Sequence, residues 1–81
     1  MAKGTDMISV EVVENIGTIS TNEKTGWSKQ LRRIKWNGAD VAKFDIRDWS
    51  PDDPDKMGRG ITLTEAEAKE LKKLLVKHFK K

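Results

Sequence analysis

Apolar residues alternate with polar ones over the first half of the chain. Ile8, Val10 and Val12 share one parity, while Ser9 and Glu11 take the other. A period of two is the signature of a strand with one face covered. Asn15 and Gly17 interrupt this run, and Ile16 and Ile19 resume it, so the pattern predicts one long bent strand or two short ones. Thr21 to Gly26 (TNEKTG) has the composition of a turn. Trp27 to Trp36 (WSKQLRRIKW) predicts a second strand, closed by an Asn37-Gly38 turn. Lys43 to Trp49 (KFDIRDW) predicts a third, with Phe44 and Ile46 on one face and Lys43, Asp45, Arg47 and Trp49 on the other. Ser50 to Lys56 holds both prolines and three aspartates and reads as a loop. Gly58 to Leu63 (GRGITL) predicts a fourth strand, whose glycines permit a bulge or the close approach of another backbone.

After Leu63 the period changes. Thr64 with Glu67 three residues on has the form of a capping box, with a helix expected from Glu65 to about Phe79. Ala68, Leu71, Leu75 and His78 fall on one stripe, and Leu74, Val76 and Phe79 widen the apolar arc beyond what one small sheet covers. Glutamates in the first turn and lysines in the last suit the helix dipole. The expected fold is α+β, a ββββα chain forming a single domain over residues 7–81 behind a disordered tail at 1–6.

An 81-residue domain is marginally stable by itself and calls for a staple. With no cysteine and one histidine, disulfides and zinc are excluded as that staple. Oligomerisation remains, and a homodimer packed through Leu71, Leu74, Leu75 and Phe79 is expected. No apolar run reaches membrane-spanning length and no secretory pattern opens the chain, so a cytoplasmic protein, free or associated with the nucleoid, is expected.

The net charge of +3 permits a nucleic-acid partner without requiring one. The placement of the tryptophans carries more weight. Trp27, Trp36 and Trp49 all lie among Lys and Arg, and rings that stack bases beside cations that hold phosphates suit a single-strand binder. The second strand contributes Lys29, Arg32, Arg33 and Lys35; taken alone, those cations also fit a solvated edge strand protected from aggregation. Lys43, Arg47 and Trp49 are expected on an outward-looking face, with Trp49 exposed and removable without unfolding; taken alone, Trp49 equally fits a dimer interface or a strand end that it covers. Trp36, beside its turn, is a second stacking candidate, and Trp27 fits either a core or a stacking position. Lys56 and Arg59 complete the cationic set, Arg59 between two glycines that would let a strand approach. Asp52, Asp53 and Asp55 lack the ligand spacing of a calcium loop, and no catalytic triad, nucleotide-binding loop or zinc spacing is present. The chain is expected to be no enzyme and to need no cofactor, metal or small-molecule substrate.

Asp45-Ile46-Arg47-Asp48-Trp49-Ser50-Pro51, followed by Gly58-Arg59-Gly60-Ile61-Thr62-Leu63-Thr64 and a Glu-rich helix, resembles the positive cofactor four family of transcriptional coactivators. The Gly26–Arg33 stretch and the Trp36-Asn37 turn are closest to its short bacterial YdbC-type members. The resemblance runs from about Met7 to Leu75. It implies a curved four-stranded antiparallel sheet with one C-terminal helix, a dimer built around the helices, and channels for single strands. It places Arg47, Trp49 and Arg59 on nucleic-acid-contacting positions and Trp36 near a base-stacking aromatic; Lys29, Arg32, Arg33 and Lys35 match it only as basic residues. The eukaryotic member carries one more aromatic between the arginine and the tryptophan. The expected activity is sequence-tolerant binding of single-stranded DNA, in transcription, replication or repair. The same groove would serve RNA, and a module that docks on a polymerase or repair enzyme is the alternative.

Overall fold

The computed structural model describes residues 9–80; the expected tail at 1–6 lies outside them. Four strands, β1 (Val10–Thr21), β2 (Ser28–Trp36), β3 (Lys43–Trp49) and β4 (Met57–Leu63), are followed by one helix, α1 (Glu65–Phe79). The strands form a single antiparallel sheet in the order β1-β2-β3-β4, so the ββββα architecture expected from the periodicity is the one observed.

β1 is one strand of 12 residues, not two. Three irregularities in its pairing with β2 absorb the breaks in the pattern, at Val12/Glu14, Asn15/Gly17 and Thr18/Ser20. Each extra residue bends the strand and increases its twist without ending it. β2 lies between β1 and β3, which removes the edge-strand explanation of its cations.

The turns follow their local chemistry. Asn22 Oδ1 accepts from the amides of Lys24 and Thr25 at 2.9 and 3.2 Å, and the Gly26 amide donates to the Asn22 carbonyl at 2.7 Å. Gly26 has φ 81°, and a Cβ there would come within 2.9 Å of Pro51 Cγ, so the β1–β2 turn rests against the β3–β4 loop only because it has no side chain. Asn37 and Gly38 both have positive φ, at 52° and 75°, and the Ala39 amide donates to the Trp36 carbonyl at 3.0 Å, so these two residues make a tight turn that opens the six-residue connection 37–42 between β2 and β3. In the β3–β4 loop, Ser50 Oγ accepts from the amides of Asp52 and Asp53, and Asp53 Oδ1 from that of Asp55. These side chains shape the turn.

α1 begins as the sequence indicates. The Glu67 amide donates to Thr64 Oγ1 at 3.1 Å, and the Thr64 amide donates to Glu67 Oε1 at 2.8 Å. The helix touches only β3 and β4. Ala68 and Leu71 are half-buried, and every other helix residue is exposed. Val76 departs from the expectation. At 100° per residue it leaves the Leu71/Leu75 arc and sits among Lys69, Lys72, Lys73, Lys77 and Lys80, which line a shared shallow groove. Among the described residues only Ile34, Ala42, Trp49 and Asp45 are buried, and the molecule is 17 Å deep along its shortest axis.

Candidate nucleic-acid interface

Residues directly opposite in an antiparallel pair share a face. Arg32 faces Asp45, Gln30 faces Arg47 and Ser28 faces Trp49 across β2 and β3. Alternation then puts Ser28, Gln30, Arg32, Ile34 and Trp36 on one face with Lys43, Asp45, Arg47 and Trp49. Thr62 of β4 and Asn15 of β1 join them by register.

Asp45 organises this face. Its carboxylate is fully buried and accepts from Arg47 Nε at 2.6 Å and Arg47 Nη2 at 2.9 Å, a two-pronged pair that fixes the guanidinium plane. Thr62 Oγ1 donates to Asp45 Oδ2 at 2.9 Å. Held this way, Arg47 extends Nη1 to the Gly58 carbonyl at 3.4 Å and lays its guanidinium 4.9 Å from the centre of the Trp36 ring. A second cation–aromatic pair lies nearby. Arg32 Cζ stands 3.9 Å above the Trp49 ring, while its Nε and Nη2 donate to Gln30 Oε1 at 2.8 and 2.6 Å. Gln30 is itself held, donating to Ser28 Oγ at 2.6 Å and accepting from Asn15 Nδ2 at 3.1 Å. Burial lowers the pKa of the Arg32 guanidinium from its ordinary value, and Asp45 across the strands opposes that shift.

Sequence reasoning put Trp49 on an exposed, outward-looking face, and the structure corrects this. Trp49 is 4% exposed, and its face holds Ile34 and Asp45, the two side chains most completely buried. Arg32 lies over the indole. Asp45 was missed as a site residue. The signal was present: an acid two residues before Arg47 on a strand must share Arg47's face.

The ten cationic and aromatic candidates divide. Arg32, Trp36, Lys43, Arg47 and Trp49 come together on this face. Lys29, Arg33 and Lys35 alternate to the other, where Arg33 Cζ lies 5.6 Å from the Phe44 ring. Lys56 is exposed at the end of the β3–β4 loop, and Arg59 is exposed in β4 beside the irregularity between Arg47 and Trp49. The backbone that approaches the Gly-Arg-Gly stretch is β3 itself: a Cβ on Gly60 would overlap Arg47 Cβ and the Ile46 carbonyl oxygen. Trp27 is half-buried on the wall of an open polar depression with Ser20, Thr21, Asn22, Thr25, Lys29 and Asp48.

Two rings in contact with guanidinium groups on one face of an antiparallel meander, with a single helix after it, define a small α+β sheet protein whose aromatic and cationic side chains are pre-assembled. Residues 23–74 match the model of the family described as Transcriptional Coactivator p15 (PC4), and the chain belongs to that family. It is also 51% identical over 70 residues to an uncharacterised protein of Treponema pallidum (strain Nichols), an alignment covering 86% of this chain and 79% of that protein.

Proposed function

We propose that this chain binds single-stranded DNA, with little sequence preference, as a homodimer, and that it acts by binding alone. The observation that carries the reading is the pairing of Arg47 with Trp36 and Arg32 with Trp49 on one face. A flat cation over an indole occupies the position a stacked base would take. An incoming base takes the ring face from the guanidinium, which keeps its hold on Asp45 or Gln30 and offers its remaining Nη1 to a phosphate, so one movement supplies both contacts. Base–aromatic stacking of this kind contributes roughly 1–3 kcal/mol per base and tolerates every base. Lys43, Lys56 and Arg59 offer further charge to the backbone. Membership of the PC4 family supports the reading. Transcription, replication and repair all expose such strands in the cytoplasm or nucleoid.

The first experiment is fluorescence anisotropy of labelled oligo-dT at two salt concentrations, with duplex DNA and matching RNA as competitors. Tight binding that weakens with salt and resists duplex is expected. Absence of binding at low salt would sink the proposal in favour of a protein-docking module. RNA displacing oligo-dT at equal concentration would move it to single strands generally.

The dimer rests on a separate observation. Leu74 is 55% exposed, Leu75 47% and Phe79 71%. Residues of this kind on one helix, beside a sheet one layer deep, mark an incomplete core that a second copy would complete. Leu75→Glu with Phe79→Glu is expected to convert a dimer in sedimentation equilibrium to monomer and to lower the unfolding midpoint. A wild-type chain that sediments as monomer at tens of micromolar, on the order of 10 µM being ample for an obligate pair, would refute the dimer.

A further inference from the structure

The excess positive charge of this protein is not on the sheet. Residues 1–64 hold ten Lys and Arg against ten Asp and Glu, a balance of zero. Residues 65–81 hold six lysines against three glutamates, which accounts for the whole net charge of +3. Within α1 the separation is sharper still, because Glu65, Glu67 and Glu70 all precede Leu71 and no acidic side chain follows them in the helix.

The helix gathers these charges on one side. Lys69, Lys72, Lys73, Lys77 and Lys80 line a single groove with Val76. Apart from the adjacent Lys72 and Lys73 they are spaced three or four residues apart, so about one or two lysines project per 5.4 Å turn over a length of about 16 Å. Lys69 and Lys73 reach Glu65 and Glu70 at 3.3 and 3.8 Å, exposed pairs of the kind that contribute little and exchange readily. Lys72, Lys77 and Lys80 make no ion pair with the described residues. Lys69, Lys73, Lys77 and Lys80 lie away from the arc of Ala68, Leu71 and Leu75, so they stay open whether or not a second copy covers that arc, while Lys72 borders it on the same line as Phe79.

We propose that the lysine face of α1 is a second, sequence-independent binding surface for the phosphate backbone of duplex nucleic acid. Along one strand a duplex carries a phosphate charge per ~3.4 Å of axis, so the stripe runs past about five phosphates, close to its number of lysines. Lysine suits that role as a mobile point charge, and the face holds no aromatic side chain to read a base. A strand held on the sheet and a flanking duplex held on the helix would together favour the junction between them. This joint arrangement rests on the single-strand reading of the sheet, but the helix surface does not.

The test uses the full chain and a variant, Lys72→Gln/Lys73→Gln/Lys77→Gln/Lys80→Gln. Glutamine has nearly the helix propensity of lysine, and circular dichroism checks that the fold is kept. Binding to a mixed-sequence duplex, to short oligo-dT and to polyglutamate is followed by anisotropy across a salt series. The wild-type chain is expected to bind duplex at low salt. The variant should lose about tenfold or more of that affinity, with a slope of log K on log salt shallower by about 2–3, since each released phosphate contact contributes about 0.9. Its binding to short oligo-dT should stay within about twofold on the same scale. Equal duplex binding by both proteins, or none by the wild type, would overturn the proposal. Tighter binding of polyglutamate than of duplex would assign the face to an acidic protein and also overturn it. Duplex binding that needs the lysines in a chain with no affinity for oligo-dT would sustain this surface while ending the single-strand reading.

Discussion

Asp45→Ala is expected to lower the unfolding free energy by about 3–5 kcal/mol, the largest effect of a polar substitution in this chain. The carboxylate is fully buried and holds two guanidinium nitrogens and one hydroxyl. Its removal strands Arg47, whose side chain is only 15% exposed, as a cation without a partner. Small domains have a folding free energy of only about 5–10 kcal/mol to lose. Urea denaturation of Asp45→Ala, Arg47→Met and the double variant measures the coupling. The double variant should be more stable than Asp45→Ala alone, because no stranded charge remains. A loss below about 1 kcal/mol for Asp45→Ala would show that the pair is solvated and that Arg47 needs no anchor. Asp45→Asn keeps the shape but weakens the grip on Arg47, so it should weaken oligo-dT binding by more than its effect on stability explains.

Trp49→Ala is expected to cost about 3–5 kcal/mol and to leave little folded protein at 37 °C. The reason is packing: the indole is 4% exposed and lies beneath Arg32 at 3.9 Å. Trp49→Phe separates stability from recognition. Trp49 Nε1 has no hydrogen-bond partner among the described residues, so the phenyl ring sacrifices no such bond while keeping an aromatic surface under the guanidinium. Trp49→Phe should therefore fold and retain most oligo-dT affinity, and its remaining tryptophan fluorescence should still be quenched by DNA through Trp36. A Trp49→Ala chain as stable as wild type in urea would return Trp49 to the exposed position that periodicity suggests.

The proposed exchange of guanidinium for base on the rings has a thermodynamic signature. Arg32 and Arg47 are already held by Gln30 and Asp45 before any ligand arrives, so little side-chain entropy is lost in ordering them. The guanidinium–ring contacts must give way to stacking, which favours a flexible single strand over a stiff duplex whose bases are already stacked.

Local chemistry determined the elements. Thr64 and Glu67 lie three residues apart in any helix, so the capping box and the start of α1 were legible without a fold. The alternation of Lys43-Phe44-Asp45-Ile46-Arg47 likewise showed which side chains share a face, because the pleat has a period of two whatever surrounds it. The family motif from Asp45 to Thr64 was equally readable. Tertiary structure decided which face is covered. Parity is indifferent to that; Arg32 arriving from β2 and Thr62 from β4 close the Asp45 face, and Arg32 lies over Trp49. The same holds for β1, where bulges absorbed breaks at Asn15 and Gly17 that local pattern reads as an end. Burial and pairing are sums over neighbours distant in sequence, and a single strand's pattern contains only its own half of each.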